Sequence, residues 1–225
     1  MSSNQKIIYV YDDFSTDVPL LMGCLYVSVI KGGESYSFEY DRNWLKTTGL
    51  SLSLDPELMP YAGRQYPSDK NIFGLFADAS PDRWGRVLMN KRERILADKE
   101  GRKPNKLYDS DYLLGVYDET RMGGIRFKLD PNGPFLSDDQ ETAAPPWATL
   151  RTLEEASRHF ESDESGLAEK WLNQLIKPGS SLGGARPKAT VIDTKDQLWI
   201  AKFPSKNDEN DVGAWEMVAR SEERR

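Results

Sequence analysis

Between Leu20 and Tyr40, two β-patterned runs flank Lys31-Gly32-Gly33-Glu34, and this arrangement commits the front of the chain to antiparallel sheet. Leu25, Val27 and Val29 recur with period two on the first run, and Tyr36-Ser37-Phe38-Glu39-Tyr40 follows the glycine turn. Ile7-Ile8-Tyr9-Val10-Tyr11 adds another β-rich segment, so a small antiparallel sheet or barrel is expected. A loop-rich stretch punctuated by Asp55-Pro56 and Met59-Pro60 leads to Ala79-Ser80-Pro81-Asp82, which reads as a helix start. Ser80 is the expected N-cap, Pro81 the first helical residue, and Asp82 faces the positive end of the dipole. The helix is expected to reach about Lys99, with Trp84, Val87, Leu88, Ile95 and Leu96 as its apolar stripe.

Charge is distributed unevenly. The 225 residues hold 30 Lys and Arg against 36 Asp and Glu, a net charge of -6, which excludes non-specific nucleic-acid binding by the whole surface. Asp82 to Lys106 opposes that balance with nine basic and four acidic residues, and reads either as a solvated helix face or as a contact for a partner or a phosphate backbone. Cys24 is the single cysteine, so no internal disulfide can form, and with only His159 beside it a zinc site would need carboxylates. A reducing compartment fits. The richest apolar stretch, Val18 to Ile30, is broken by Pro19, Gly23 and Ser28 and is too short to span a bilayer, so the expected location is cytoplasmic.

Further along, Asp111 to Val116 suggests a short helix and Met122-Gly123-Gly124-Ile125-Arg126-Phe127 a glycine-opened strand. Pro131, Pro134, Pro145 and Pro146 lie among acidic and small residues, which marks 131–150 as an interdomain linker. Thr152 and Glu155 have capping-box spacing, and Leu167, Trp171 and Leu175, widened by Leu172 and Ile176, form one helical face. The expected class is α+β: a sheet module with helices over 1–130, the linker, and a second part over 151–225.

The chemistry concentrates in that second part. Pro178-Gly179-Ser180-Ser181-Leu182-Gly183-Gly184-Ala185-Arg186-Pro187-Lys188 is a small-residue turn feeding a strand, Ala189 to Asp193, which pairs through a turn at Thr194 to Asp196 with Leu198 to Phe203. Glycines let backbone N–H groups approach phosphate oxygens and a lysine neutralises them, as an ATP-binding kinase lobe requires; an ordinary turn is the alternative. Lys202, flanked by Ala201 and Phe203, is expected to project alone into a cleft, with Glu216 on a helix from Val212 to Arg220 as its acidic partner. The Walker pattern is absent.

These segments together resemble the front half of HipA-family serine/threonine kinases, the toxins of bacterial type II toxin–antitoxin pairs. The resemblance rests on five groups of motifs in family order. They are Gly23-Cys24-Leu25 with Phe38-Glu39-Tyr40 and Trp44-Leu45; Phe76-Ala77-Asp78-Ala79-Ser80-Pro81-Asp82-Arg83-Trp84-Gly85-Arg86; Tyr112-Leu113-Leu114-Gly115 with Met122 to Phe127; Ser181 to Lys188; and Trp199-Ile200-Ala201-Lys202-Phe203-Pro204. The resemblance implies the start of a kinase-like N-lobe after the sheet module. It makes Ser181 the autophosphorylated serine of the phosphate-covering loop, and Gly183, Gly184, Ala185 and Lys188 parts of that loop. It makes Lys202 the lysine that contacts the nucleotide phosphates and assigns Glu216 as its orienting partner. ATP and magnesium are the implied cofactors. The implied partners are a HipB-like antitoxin with a helix-turn-helix, through which alone DNA is met, and a protein substrate such as an aminoacyl-tRNA synthetase.

One departure matters. The family's catalytic-loop Asp and its magnesium-binding Asp and Asn follow the lysine strand on a second lobe; after Lys202 the aspartates are Asp208 and Asp211, in an acidic loop ahead of a helix with no lobe around them. No catalytic residue or metal ligand is therefore assigned, and Asp78, Asp82 and Arg86 are read as capping and ion-pairing residues. The charged end, Ser221-Glu222-Glu223-Arg224-Arg225, reads as a truncation, a frame change or a short form. A non-catalytic module that binds an antitoxin or a separate kinase core is the alternative to a kinase.

Overall fold

A computed structural model describes residues 5–30, 32–48, 53–68, 71–118, 121, 123–136, 147–162, 168–179 and 184–210. The chain divides into two compact units, Met1–Pro81 with Lys106–Asp138 and Asp82–Asn105 with Asp139–Arg225. The basic helix that begins at Asp82 thus packs with the C-terminal part, whereas the sequence places it inside a module over 1–130. Of the expected linker, 137–146 lie outside the described residues, and Trp147–Thr149 already form a 3-10 turn that leads into a helix.

The first unit is built on β1 (Gln5–Asp12), β2 (Leu20–Ile30), β3 (Gly33–Tyr40), β4 (Arg64–Gln65) and β5 (Ile125–Lys128), an open antiparallel sheet in the order β4-β3-β2-β1-β5. Ile30 pairs with Gly33, so the hairpin closes at the glycine pair, with Gly32 at φ +79°. Leu25 and Val27 are buried as their period requires, but Val29 is 63% exposed because the hairpin end runs past the core. Gly23 has no substitute: a Cβ there would stand 2.3 Å from the carbonyl oxygen of Glu39 and 2.6 Å from the Phe38 ring.

Helices α1 (Arg42–Thr48), α2 (Gly74–Asp78) and α4 (Asp109–Leu114) belong to this unit. Asp41 caps α1, accepting the Asn43 and Trp44 N–H groups at 2.8 and 3.0 Å. Trp44 stacks on Tyr40, and its indole N–H reaches a carboxylate oxygen of the fully buried Asp12 at 2.7 Å. The other Asp12 oxygen accepts the Phe14 and Ser15 N–H groups, each at 2.9 Å. Burial alone would raise the Asp12 pKa, but the bonds from Ser15, Phe14 and Trp44 together hold it below the usual carboxylate range. Its stabilisation is therefore complete above the unfolded value near 3.9 and fades as pH falls through the lower folded value. Asp12→Asn is expected to lose about 1–2 kcal/mol at neutral pH, and the deficit should shrink as the wild type is acidified. Thermal melts across an acid pH series check this, and parallel curves for the two proteins would refute it.

The second unit holds α3 (Arg83–Lys99), α5 (Leu150–Ser162), α6 (Ala168–Gly179) and a hairpin of β6 (Lys188–Ile192) with β7 (Leu198–Lys202). Trp84 and Leu88 of α3 pack with Ala156 and Phe160 of α5 and with Trp171, Leu172 and Leu175 of α6. Leu153 meets Ala189, Val191 and Phe203 in a neighbouring cluster. The buried face of α3 is shifted from its sequence stripe, since Val87 and Leu96 are exposed and Met89 and Ala97 are buried instead. Helix α6 runs through Pro178 to Gly179, so the glycine-rich turn starts later than the sequence suggests, and Thr152 lies inside α5 rather than capping it. Leu167 falls outside the described residues.

Candidate functional site

Helix α3 starts two residues later than expected. Asp82, not Ser80, is the N-cap, one carboxylate oxygen accepting the Arg83 N–H at 2.7 Å, while the Ser80 hydroxyl donates to the Phe76 carbonyl in the first unit. The second Asp82 oxygen accepts the Gly184 N–H at 2.5 Å. These bonds from Gly184 and Arg83, aided by the charges of Lys188 and Arg86, lower the Asp82 pKa. The Gly184 carbonyl in turn accepts the Trp84 N–H at 3.1 Å, and the Lys188 carbonyl accepts the Trp84 indole N–H at 3.0 Å. The end of the glycine-rich loop and the start of β6 are thus fastened to the first turn of α3.

Gly184 sits at φ +85°, and a Cβ there would come within 2.7 Å of Lys188 Nζ, so the buried Lys188 side chain folds back over the glycine. Lys188 pairs with Lys202 across the hairpin, and the ladder continues through the Phe203 N–H to the Pro187 carbonyl at 2.9 Å. Directly opposed residues of an antiparallel pair share a face. Lys202, which is exposed, therefore shares its face of the hairpin with a second lysine, contrary to the expectation that it projects alone into a cleft. Ala185 is exposed beside them.

Phosphate fits this arrangement only in part. The two lysines supply positive charge on one face next to a loop that tolerates close approach, but in this conformation the Gly184 N–H is already donated to Asp82. Ser181, Gly183 and Glu216 lie outside the described residues, as does Asp211. Asp208 pairs with Arg186 and accepts the Ser205 N–H at 3.0 Å, which makes it a loop-fixing carboxylate. Among the described residues no three His, Cys, Asp or Glu side chains gather to hold a metal. His159 stacks on Trp171 at 4.8 Å, a packing role. No helix among the described residues is long and apolar enough to cross a membrane.

Fold and site together define an α+β protein with an antiparallel sheet unit and a helical unit that presents a paired-lysine hairpin. Residues 26–102, from within β2 to just beyond α3, match the family model of the HipA N-terminal domain. No curated protein and no solved structure matches the chain.

The fastening of the loop by Asp82 and Trp84 escapes the sequence, which marks Asp82 as a capping and ion-pairing residue. One carboxylate oxygen suffices for a cap, and nothing in Ser80-Pro81-Asp82 says that the other reaches a glycine 102 positions away.

Proposed function

We propose that this chain acts in a HipA-type toxin–antitoxin system, and that its second unit grips the phosphates of ATP for transfer of the γ-phosphate to a protein serine. The observation that carries this reading is the opposition of Lys188 and Lys202 on one face of the β6–β7 hairpin beside the glycine-rich loop. In this reading Lys202 contacts the phosphates, Lys188 supports it from the neighbouring strand, and Ala185 and the glycines before it allow close approach. Ser181 is the loop's phosphorylation site and Glu216 the partner that orients Lys202. The protein partner is a HipB-like antitoxin, and DNA is reached through it. A second reading, a non-catalytic module that binds an antitoxin or a separate kinase core, is favoured by one fact: the described residues gather no metal-binding carboxylates.

Calorimetric titration with ATP separates the two. Binding that weakens roughly tenfold or more in Lys202→Ala, with an unchanged thermal midpoint, is expected for phosphate gripping. Binding equally strong in the variant would dismiss Lys202 as the contact. A wild-type chain that ignores ATP altogether would leave the interaction module.

A further inference from the structure

Apart from the lysine pair, the second unit contains a cavity of about 820 Å³ whose lining includes neither Lys188 nor Lys202. One wall is a single face of α3, where Arg83, Val87, Asn90, Lys91 and Arg94 recur at helical spacing. The other wall comes from the loop at Ala185 and Arg186, the end of α5, and residues 205–208. Trp84 and Phe160, edge to face at 5.6 Å, form part of the floor.

The cavity is strongly cationic. Arg83, Lys91, Arg94, Arg186 and Lys206 line it against only Glu161 and Asp208. Both carboxylates are engaged in building the wall: Asp208 with Arg186 and the Ser205 N–H, Glu161 with the Ser205 hydroxyl at 2.9 Å and the Lys206 N–H at 2.8 Å. Arg83 and Arg94 are exposed and eleven positions apart on α3, which spreads positive charge over about 16 Å of helix.

We infer that this cavity is a second anion site, which binds a small molecule carrying two or more phosphate groups. Charge spread over that length exceeds what one phosphate can meet, and guanidinium forks suit phosphate oxygens. The volume lies in the range of small-ligand pockets, about 300–1,000 Å³. A long nucleic-acid strand fits less well. It would leave the cavity and run over the surface of a chain with net charge -6, whereas a compact ligand senses only charges within a Debye length of about 8 Å. The site also gives the basic stretch of Asp82 to Lys106 a task that the lysine hairpin does not.

Tripolyphosphate is the probe, titrated calorimetrically into the full chain at about 0.15 M salt. It is expected to bind more tightly than orthophosphate. In a Lys202→Ala background, which removes the hairpin's own phosphate contact, tripolyphosphate should still bind; adding Arg83→Gln with Arg94→Gln should weaken it roughly tenfold or more, and adding Arg94→Gln alone several-fold. Unchanged thermal midpoints would establish that these surface variants are folded. The inference is overturned if Lys202→Ala does not bind tripolyphosphate, or if adding the arginine substitutions to it leaves that binding unchanged. A single-stranded oligonucleotide that binds more tightly than tripolyphosphate through Arg83 and Arg94 would make the face a nucleic-acid contact instead.

Discussion

Arg121→Ala is expected to destabilise the first unit by about 3–5 kcal/mol, the loss typical of removing one partner from a buried charged network. The side chain is almost wholly buried, and its fork donates to the carbonyl of Ala79 at 2.9 Å, of Leu113 at 3.0 Å and of Val116 at 3.1 Å. Those carbonyls follow α2 and close α4, so one guanidinium ties together the C-terminal ends of both helices. It also lies 4.6 Å over the Phe127 ring of β5. Burial pulls the Arg121 pKa down to about 10, against the opposing charge of Asp118, and the group stays protonated at neutral pH. Alanine would strip the carbonyls of their donors and leave a cavity against Phe127. Lysine keeps the charge but cannot serve three carbonyls in one plane, so Arg121→Lys should recover only part of the loss. Urea unfolding of the three proteins tests this, and a loss below about 1 kcal/mol for the alanine variant would mean that water satisfies those carbonyls without penalty.

Nothing in the sequence around Arg121 announces that role. Its acceptors are main-chain carbonyls, which carry no side-chain signature, and Ala79 stands 42 positions upstream. The β2–β3 hairpin, by contrast, is legible because its signals are local: period-two burial on either side of a glycine turn. Helix α3 is legible to its last residue, Lys99, for the same reason. Its cap is shifted because Ser80-Pro81-Asp82 offers two capping side chains, and the choice depends on where the Ser80 hydroxyl finds another acceptor. Helix α4 begins at Asp109 rather than Asp111, since Asp111 reaches back to the Tyr108 N–H at 2.9 Å and so becomes the third residue of the helix. The two strands after the glycine-rich segment, and the lysine between Ala201 and Phe203 on the second of them, are readable from composition and period. The opposition of Lys188 and Lys202 also needs the strand register, and the cationic cavity needs α3 brought beside residues 205–208.

Trp84 is where helix packing and the candidate site meet, and its replacement separates the two contributions in the second unit. The indole is 2% exposed, lies edge-on to Phe160, and shares its core with Leu88, Leu172 and Leu175. Trp84→Ala is expected to lose about 3–5 kcal/mol, because the transfer energy of a large ring and the void it leaves add together. Trp84→Phe retains much of the ring contact but cannot donate to the Lys188 carbonyl, so its loss should be nearer 1–2 kcal/mol, the value of one buried hydrogen bond left half-made. Phenylalanine also leaves the backbone N–H of residue 84 bonded to the Gly184 carbonyl. It therefore releases the start of β6 while the loop remains fastened, and amide exchange at β6 should accelerate more than exchange along α3. Equal losses in the two variants would show that the hydrogen bond dominates and that the ring contributes little. An unchanged exchange rate at β6 in Trp84→Phe would show that strand pairing with β7 alone holds Lys188 opposite Lys202.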